Sequence, residues 1–410
     1  MGSFAIHRNA LIIGIAAAVL AGCGGSQPIG APGAVAQNTT RENAKLTYHV
    51  LHSFGAAPDG NDPGAGVIGL GDDGTFYGTT IFGGAYSCSP TYKCGTVFSI
   101  TTGGTETVLH SFTNENDGAN PEADLIDVGG TLYGTTYSGG YGFGVVFSIT
   151  PEGVEKVLHS FGNGTDGRNP HASLIDVRGR LYGTTEFGGE KNRGTVFGIT
   201  MDGSEKVLHS FGKGTDVSQP LAQLIYLGGT FYGTTSEGGR YACGRFTCGT
   251  VFSMTTDGTE RVLRSLSKGT GSHPGAGLID VGGTFYGTTS DGGRYNCGRS
   301  RCGTVFSITT GGKEKVLHSF GRGSDGVDPA ASLVDIDGTL YGTTYLGGAY
   351  AGGATFSIAA DGTERVLHSF GSGKDGKYPL AGMIYKHGSL VGTTSIGGAY
   401  GYGTIFSLTP

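Results

Sequence analysis

Six of the seven cysteines fall into three close pairs, a spacing that supports either disulfide or metal chemistry. The pairs are Cys88/Cys94, Cys243/Cys248 and Cys297/Cys302. In an oxidising compartment each pair would form a disulfide across a loop of six or seven residues, which contributes about 2 kcal/mol in the chain-entropy model. Four thiolates could instead bind zinc, but the flanking Cys-Gly-Thr lacks the Cys-x-x-Cys spacing of zinc knuckles. The sequence predicts three local disulfides.

Tyrosines and arginines in the loops that carry these cysteines are candidate ligand-binding groups. A tyrosine follows most Gly-Gly doublets: Tyr86, Tyr141, Tyr241, Tyr295, Tyr350 and Tyr400. A tyrosine offers a sugar ring an apolar face with a hydroxyl at its edge, although each ring could instead pack on a neighbouring repeat. The arginines are Arg240, Arg245, Arg294, Arg299 and Arg301. Their guanidinium groups could bind carboxylated or sulfated polymers, or simply remain solvated.

Two further patterns recur along the chain without indicating a metal or a cofactor. Histidines recur at 52, 110, 159, 209, 318 and 368, and Asp-Gly pairs recur shortly before prolines. Calcium prefers oxygen ligands from such loops, but one acid per loop is few and Asp-Gly is common in turns. The histidines belong to strands predicted at the rim of the molecule, so they cannot converge on one ion. We expect no metal site and no cofactor.

No catalytic motif is recognisable in the sequence. The chain lacks a Gly-x-Ser-x-Gly elbow, a His-Glu-x-x-His pair, a phosphate loop and any tryptophan. Catalytic residues should break the repeat pattern, and His171, His273, Glu186, Glu190 and Glu237 do so. Nothing in the sequence brings these five residues together, so we expect no catalytic residue and a non-enzymatic protein.

Composition and charge restrict the class of protein. The 410 residues include 82 glycines and 13 prolines, yet also 20 tyrosines and 21 phenylalanines, which is more aromatic content than Gly-rich disorder contains. The formal net charge of −6 leaves no broad basic surface, so nucleic acid is excluded as an expected partner.

The N-terminus has the pattern of a bacterial lipoprotein signal. His7 and Arg8 precede an apolar run of 11 residues, Ala10 to Leu20, which is too short for a membrane-spanning helix of about 20 residues. The run ends in Leu20-Ala21-Gly22-Cys23, which resembles a lipobox. The sequence predicts a signal peptide at 1–22, a lipidated Cys23 with a flexible tether to residue 45, and a membrane-anchored protein of the cell envelope.

Internal repeats predict the fold of residues 46–410. Tyr-Gly-Thr-Thr begins at 77, 133, 182, 232, 286 and 341, with Val391-Gly-Thr-Thr as a seventh copy. Each repeat is expected to form four short antiparallel strands, such as 172–177, 180–185, 194–200 and 205–211. Apolar residues on both strand faces require a sheet on either side, and radial repetition of such sheets is a β-propeller. We predict an all-β, seven-bladed β-propeller, with the N-terminal strand completing the last blade.

The repeat also resembles a known family. Gly-Thr-Leu/Phe-Tyr-Gly-Thr-Thr-x-x-Gly-Gly, followed by Gly-Thr-Val-Phe-Ser-Ile and Val-Leu-His-Ser-Phe, resembles the GloVer tandem repeat of bacterial choice-of-anchor proteins, which is kelch-like. The resemblance implies a secreted or surface-anchored repeat protein without an established enzymatic activity.

These observations together predict a lipid-anchored binding module, with extracellular polysaccharide as the expected ligand. Two alternatives stay open: a scaffold for envelope proteins, and a carbohydrate-active enzyme such as a lyase or a glycosidase. The enzyme alternative requires carboxylate, tyrosine or histidine groups that converge at the mouth of the propeller channel.

Overall fold

The fold is described from a computed structural model that covers residues 46–89, 92–212, 218–297 and 302–409. The compact unit extends from Lys45 to Pro410. Within these described residues all regular structure is β-strand, and no helix is present that is long and apolar enough to cross a membrane. The prediction of an all-β protein is confirmed.

Seven four-stranded antiparallel sheets form the blades of a propeller, and their strands are called A to D from the channel outwards. Blade 1 contains Ile68–Gly69, Thr75–Thr80, Thr96–Thr101 and Glu106–Ser111; blade 2 contains Ile126–Val128, Thr131–Thr136, Val145–Ile149 and Glu155–Ser160. Blade 3 contains Ile175–Asp176, Arg180–Thr185, Thr195–Thr200 and Glu205–Ser210; blade 4 contains Ile225–Leu227, Thr230–Thr235, Thr250–Thr255 and Glu260–Ser265.

The remaining three blades have the same order of strands. Blade 5 contains Ile279–Val281, Thr284–Thr289, Thr304–Thr309 and Glu314–Ser319; blade 6 contains Val334–Ile336, Thr339–Thr344, Ala354–Ile358 and Glu364–Ser369; blade 7 contains Ile384–Lys386, Ser389–Thr394, Thr404–Thr409 and Thr47–Ser53. Two-residue ladders join Gly60–Asn61 to Phe82–Gly83, Gly167–Arg168 to Phe187–Gly188, Ala242–Cys243 to Phe246–Thr247 and Gly376–Lys377 to Ile396–Gly397.

The N-terminal strand closes the ring, as predicted. Thr47–Ser53 pairs antiparallel with Thr404–Thr409, so the two ends of the propeller share blade 7. Thr393 of this blade donates a hydrogen bond from Oγ1 to the carbonyl of Ala65 across the seam with blade 1, at 2.9 Å. Pairing of the two terminal strands removes two sheet edges that would otherwise be open to other chains.

The Tyr-Gly-Thr-Thr motif recurs because each of its last three residues has a packing role, as blade 3 shows. A Cβ on Gly183 would lie 2.7 Å from Cζ of Phe197, so only glycine fits beside this ring. Thr184 donates from Oγ1 to the carbonyl of Ala222 in the next blade, at 3.4 Å. The Oγ1 atoms of Thr185 and Thr195 lie 2.8 Å apart and link strands B and C. The motif thus fixes both the blade and its neighbour.

The core between blades is built from repeated phenylalanines. Phe161, which directly follows strand D of blade 2, packs edge-to-face on Phe197 of blade 3, with ring centroids 5.0 Å apart. Phe54 makes the equivalent contact with Phe98 at the seam, at 5.3 Å. All four rings are fully buried. Burial of these aromatic rings on both faces of a sheet makes the blades interdependent.

The three predicted disulfides are confirmed. Cys88 bonds to Cys94, Cys243 to Cys248, and Cys297 to Cys302. Each bond lies in the loop between strands B and C of one blade, so the disulfides stabilise loops and do not connect blades. This pairing removes the thiolates that a zinc site would need.

Candidate active site at the channel mouth

A cavity of about 340 Å³ lies on the propeller axis and is lined by residues from all seven blades. Its wall consists mostly of small residues that immediately precede strand A, such as Ala123, Ala172 and Ala222. This channel cavity lies within the usual volume range of small-molecule sites, about 300–1,000 Å³. The small residues leave this space open, so large apolar side chains do not fill the channel here.

Two positions of each repeat are relevant here: the first lines the cavity in every blade, and the amide of the second is hydrogen-bonded to the crossing that carries the first. One follows the proline of the crossing from strand D to the next strand A, and the other follows the Thr-Thr pair of strand B. At the first position the residues are Gly64, Glu122, His171, Leu221, Gly275, Ala330 and Leu380, and at the second Ile81, Tyr137, Glu186, Ser236, Ser290, Tyr345 and Ser395. Acidic and histidine side chains occur at these positions only in blades 2 and 3.

The backbone before these positions is fixed by asparagines. Asn120 and Asn169 each precede the proline and adopt left-handed φ angles of 54° and 56°, a region that asparagine tolerates. Asn120 donates from Nδ2 to the carbonyl of Ile81, and Asn169 to that of Tyr137. Asn169 therefore connects the backbone just before His171 to the backbone carbonyl of Tyr137 in the preceding blade.

Four neighbouring side chains are called the acid–base cluster: Glu122 and His171, which line the cavity, and Tyr137 and Glu186, which lie beside them. His171 Nε2 lies 3.2 Å from Oε2 of Glu122. The Tyr137 hydroxyl donates to Oε2 of Glu186 at 3.1 Å, and the rings of Tyr137 and His171 lie edge-to-face at 6.3 Å. The cluster joins an imidazole, a phenol and two carboxyl groups, which are the groups that general acid–base catalysis uses.

Burial gives the two carboxyl groups different proton affinities. Burial, with smaller contributions from repulsion by Glu186 and Asp62, raises the pKa of Glu122 to about 7. Burial also raises the pKa of Glu186, but the Tyr137 hydroxyl and His171 oppose this rise. Glu122 therefore retains its proton near neutral pH more readily than Glu186, the arrangement expected of an acid and a base.

Tyr137 and His171 are both neutral near pH 7. Burial and the Glu186 carboxylate raise the pKa of Tyr137 to about 12, so the phenol remains a donor. Burial lowers the pKa of His171, although 39% of its side chain is open to the cavity. When Glu122 holds its proton, its 3.2 Å contact with His171 joins a carboxylic acid and a neutral imidazole. The Glu122 hydroxyl can therefore donate to Nε2.

The cavity lining is acidic in composition. The residues that line the cavity within the described part of the chain include Glu122 and Asp124 but no lysine or arginine. Asp62 and Glu237 lie close enough to raise the pKa values of Glu122 and Glu186, respectively. Asp124 has its own partner, because the amide of Gly66 donates to its Oδ1 at 2.6 Å. Anionic ligands would meet repulsion here.

The six predicted ligand-binding tyrosines lie elsewhere. None of them lines the channel cavity. The amides beside Tyr86, Tyr350 and Tyr400 instead donate to the serine at the end of an outermost strand D, as Ala85 does to Ser111 at 3.2 Å. Tyr86, Tyr141, Tyr241, Tyr350 and Tyr400 are exposed, and Tyr295 is partly buried. Exposure is compatible with a ligand-binding role, which stays a prediction.

Three of the five predicted arginines can be placed. Arg240, Arg245 and Arg294 are exposed on the loops of blades 4 and 5. Arg299, Arg301 and the predicted lipidation site Cys23 lie outside the described residues. Lipidation, the polysaccharide or protein partner and the envelope location therefore stay predictions.

Of the five residues that break the repeat pattern, two belong to the cluster. His171 and Glu186 meet there, and Glu237 forms an ion pair with Arg193 at 3.9 Å. His273 lies 3.1 Å from Asp291 in blade 5, and Glu190 is exposed on a loop. Sequence reasoning missed Glu122 and Tyr137. Alignment of the residue after each proline and after each Thr-Thr pair would have revealed both.

Comparison with known proteins identifies the repeat. The model of the Gloeobacter/Verrucomicrobia repeat matches residues 26–247 and 241–410. No curated protein is significantly similar to the sequence.

Solved structures share the propeller fold at low identity. A gluconolactonase from Xanthomonas campestris has 17% identity and a TM-score of 0.40 over 65% of this chain and 78% of its own. A luciferin-regenerating enzyme has 12% identity and a TM-score of 0.40 over 68% and 88%. The β-propeller domain of the Trilobed protease from Pyrococcus furiosus has 12% identity and a TM-score of 0.43 over 81% and 90%. Likeness at this level concerns the fold alone.

The expectation of a non-enzymatic binding module was wrong. The solved structures named above include a gluconolactonase and a luciferin-regenerating enzyme, a likeness that concerns the fold alone. The acid–base cluster supplies the converging groups that the enzyme alternative required. The sequence analysis did not find the complete cluster because its members lie in two different repeats.

Proposed function

The chain belongs to the Gloeobacter/Verrucomicrobia repeat family, and we propose that this member is a glycosidase that hydrolyses a neutral carbohydrate at the channel mouth. The observation that carries the proposal is the pair of carboxyl groups, Glu122 and Glu186, held beside His171 and Tyr137 with unequal proton affinities. Glycosidases use one carboxylic acid and one carboxylate in this way.

The proposed roles follow from the protonation states. Glu122 donates its proton to the glycosidic oxygen as the bond between that oxygen and the anomeric carbon breaks. Glu186, which accepts a hydrogen bond from Tyr137, acts on the anomeric carbon or on the attacking water. Water supplies a hydroxyl to the new reducing end and a proton that restores Glu122, so the reaction needs no external oxidant or reductant.

The acidic mouth supports a neutral substrate over a uronate polymer. A polysaccharide lyase must stabilise the carboxylate of its substrate, and the described lining residues offer no lysine or arginine for this purpose. Asp62 and Glu237 add further negative charge beside the cluster. A neutral sugar avoids this repulsion and can accept or donate hydrogen bonds at the wall.

A product analysis tests the proposed reaction class. The substrates are 4-nitrophenyl glycosides of common neutral sugars, the matching disaccharides, and two uronate polymers, polygalacturonate and alginate. We expect new reducing ends from a neutral glycoside, and loss of this activity in the Glu122→Gln/Glu186→Gln double variant. Cleavage of only the uronate polymers with formation of an unsaturated product, or no turnover of any glycoside, would contradict the proposal.

A further inference from the structure

A second set of titratable groups lies between the blades at the outer strands, far along each sheet from the channel cavity. The histidine of strand D in one blade faces the aspartate of the following crossing and the first glutamate of strand D in the next blade. At the seam between blades 7 and 1 these residues are His52, Asp59 and Glu106, and between blades 2 and 3 they are His159, Asp166 and Glu205. Each of these two histidines therefore has potential metal ligands close by, so a metal site does not require histidines from different blades to meet at the axis.

The ligand atoms of both sets are close enough to share one ion. One nitrogen or oxygen from each of the three residues lies within 4.8 Å of the other two. At the seam, His52 Nε2 is 3.7 Å from Asp59 Oδ2, and between blades 2 and 3 the equivalent distance is 3.0 Å. Two ligands of a tetrahedral zinc ion, each about 2.0–2.1 Å from the metal, lie about 3.3 Å apart. Small side-chain movements would complete such geometry.

Several of these atoms are buried without a partner. His52 Nε2, Glu106 Oε1 and Glu205 Oε1 are inaccessible and have no hydrogen-bond partner among the described residues, and the equivalent Oε1 atoms of Glu155, Glu314 and Glu364 share this state. Only at His52/Asp59/Glu106 and His159/Asp166/Glu205 do the described residues bring a histidine and two carboxylates within reach of one ion. The other groups are held in place: Asp59 accepts the amides of Gly55 and Gly60, and Asp166 accepts that of Gly167. An unsatisfied buried polar atom is costly, so these positions favour an additional ligand.

The interface between blades 4 and 5 provides an internal comparison. Arg264 replaces the histidine there, and Thr270 stands before Gly271 where five of the other crossings have Asp before Gly. The guanidinium of Arg264 contacts Glu314 from Nε to Oε2 at 2.6 Å, and only 1% of the glutamate side chain is exposed. A fixed cation therefore faces the glutamate where the histidine and the aspartate are both missing. At the interface of blades 6 and 7, Tyr48 replaces the glutamate and donates to Asp375.

We propose that a divalent transition-metal ion, Zn²⁺, binds at the seam through His52, Asp59 and Glu106, and at the equivalent site through His159, Asp166 and Glu205. One imidazole nitrogen and two carboxylate oxygens suit zinc better than calcium, which prefers oxygen ligands alone. The ion neutralises both carboxylates, as Arg264 neutralises the single carboxylate of Glu314 between blades 4 and 5. At the seam it connects the N-terminal strand to blade 1, so zinc stabilises ring closure independently of the proposed hydrolase activity.

Zinc binding by the full chain tests this proposal. The protein is freed of metal with a chelator, dialysed, and titrated with Zn²⁺ alone while bound metal is counted by mass spectrometry. The Glu106→Gln/Glu205→Gln double variant should bind about two fewer zinc ions than the wild type. Zn²⁺ at about 100-fold excess over its dissociation constant should raise the wild-type unfolding midpoint by roughly 3 °C or more, and raise that of the variant less.

Two further variants make the result specific. Glu314→Gln alters the interface that already contains Arg264, so its zinc count should equal that of the wild type. The double substitution His52→Arg/Asp59→Thr transfers the Arg264 arrangement to the seam; it should remove one zinc ion while the protein stays folded, even if the glutamine variants fold poorly. An unchanged zinc count in this variant, or a wild type that binds no zinc, would overturn the proposal.

Discussion

Glu122→Gln is expected to reduce the hydrolysis rate of a disaccharide by about 10²–10⁴-fold, the usual contribution of a general acid. The amide keeps the size of the side chain and its place beside His171, but it cannot deliver a proton to the leaving oxygen. Loss of rate should be much smaller on a 4-nitrophenyl glycoside, because 4-nitrophenolate leaves without protonation. Steady-state kinetics on both substrates measure the difference.

Two controls separate catalysis from folding. Glu186→Gln should impair both substrates, because its role does not depend on the leaving group. Glu115→Gln changes an exposed glutamate of the same crossing as Glu122 and should leave both rates unchanged. Equal losses on the disaccharide and the 4-nitrophenyl glycoside in Glu122→Gln would show that Glu122 is not the acid.

Phe54→Ala is expected to lower the free energy of unfolding by about 3–5 kcal/mol, as for other fully buried phenylalanines. Phe54 follows the N-terminal strand and packs on Phe98 across the seam. Phe112→Ala is the matched variant, because Phe112 makes the same contact with Phe147 between blades 1 and 2, at 5.3 Å. Chemical denaturation of both variants and the wild type measures the change.

The comparison of the two variants tests ring closure. If the seam is as tightly packed as an internal interface, Phe54→Ala and Phe112→Ala should destabilise the protein by similar amounts. Val50→Ala, on the same strand with 38% of the residue exposed, should have an effect below about 1 kcal/mol. A Phe54→Ala effect as small as that of Val50→Ala would indicate a ring that is open at the seam.

The fold could be predicted because the packing requirements recur in every repeat. The Gly-Thr-Thr residues at 183–185 have their counterparts in all seven blades, and each repeats the same contact between sheets. Closure could be predicted because the first predicted strand has the sequence of a strand D and the last that of a strand C, so each lacks the rest of its blade unless the two pair. Strands C and D differed by one residue each, but strand A differed most, since Ile175–Asp176 is shorter than the predicted 172–177; residues 172–173 line the channel cavity instead.

The site could not be predicted because its members belong to different repeats. His171 and Glu122 are 49 positions apart, and only the rotation between neighbouring blades brings their side chains together. The six tyrosines were predicted as ligand-binding residues because they recur. The loops that carry Tyr86 and Tyr350, however, are hydrogen-bonded to the ends of outer strands D and not to the cavity wall. In a propeller, chemistry on the axis is signalled by single deviations such as Glu122 and not by repeated residues.

The pH dependence of kcat/KM for a disaccharide tests the central claim most directly. The burial-raised pKa of Glu122, about 7, means that the acid is protonated below this pH and loses its proton above it. The wild-type rate should therefore fall as pH rises through about 7, and this limb should be missing from the residual activity of Glu122→Gln. A wild-type rate that stays constant between pH 6 and 8, or a limb that persists in Glu122→Gln, would contradict the assignment of Glu122 as the acid.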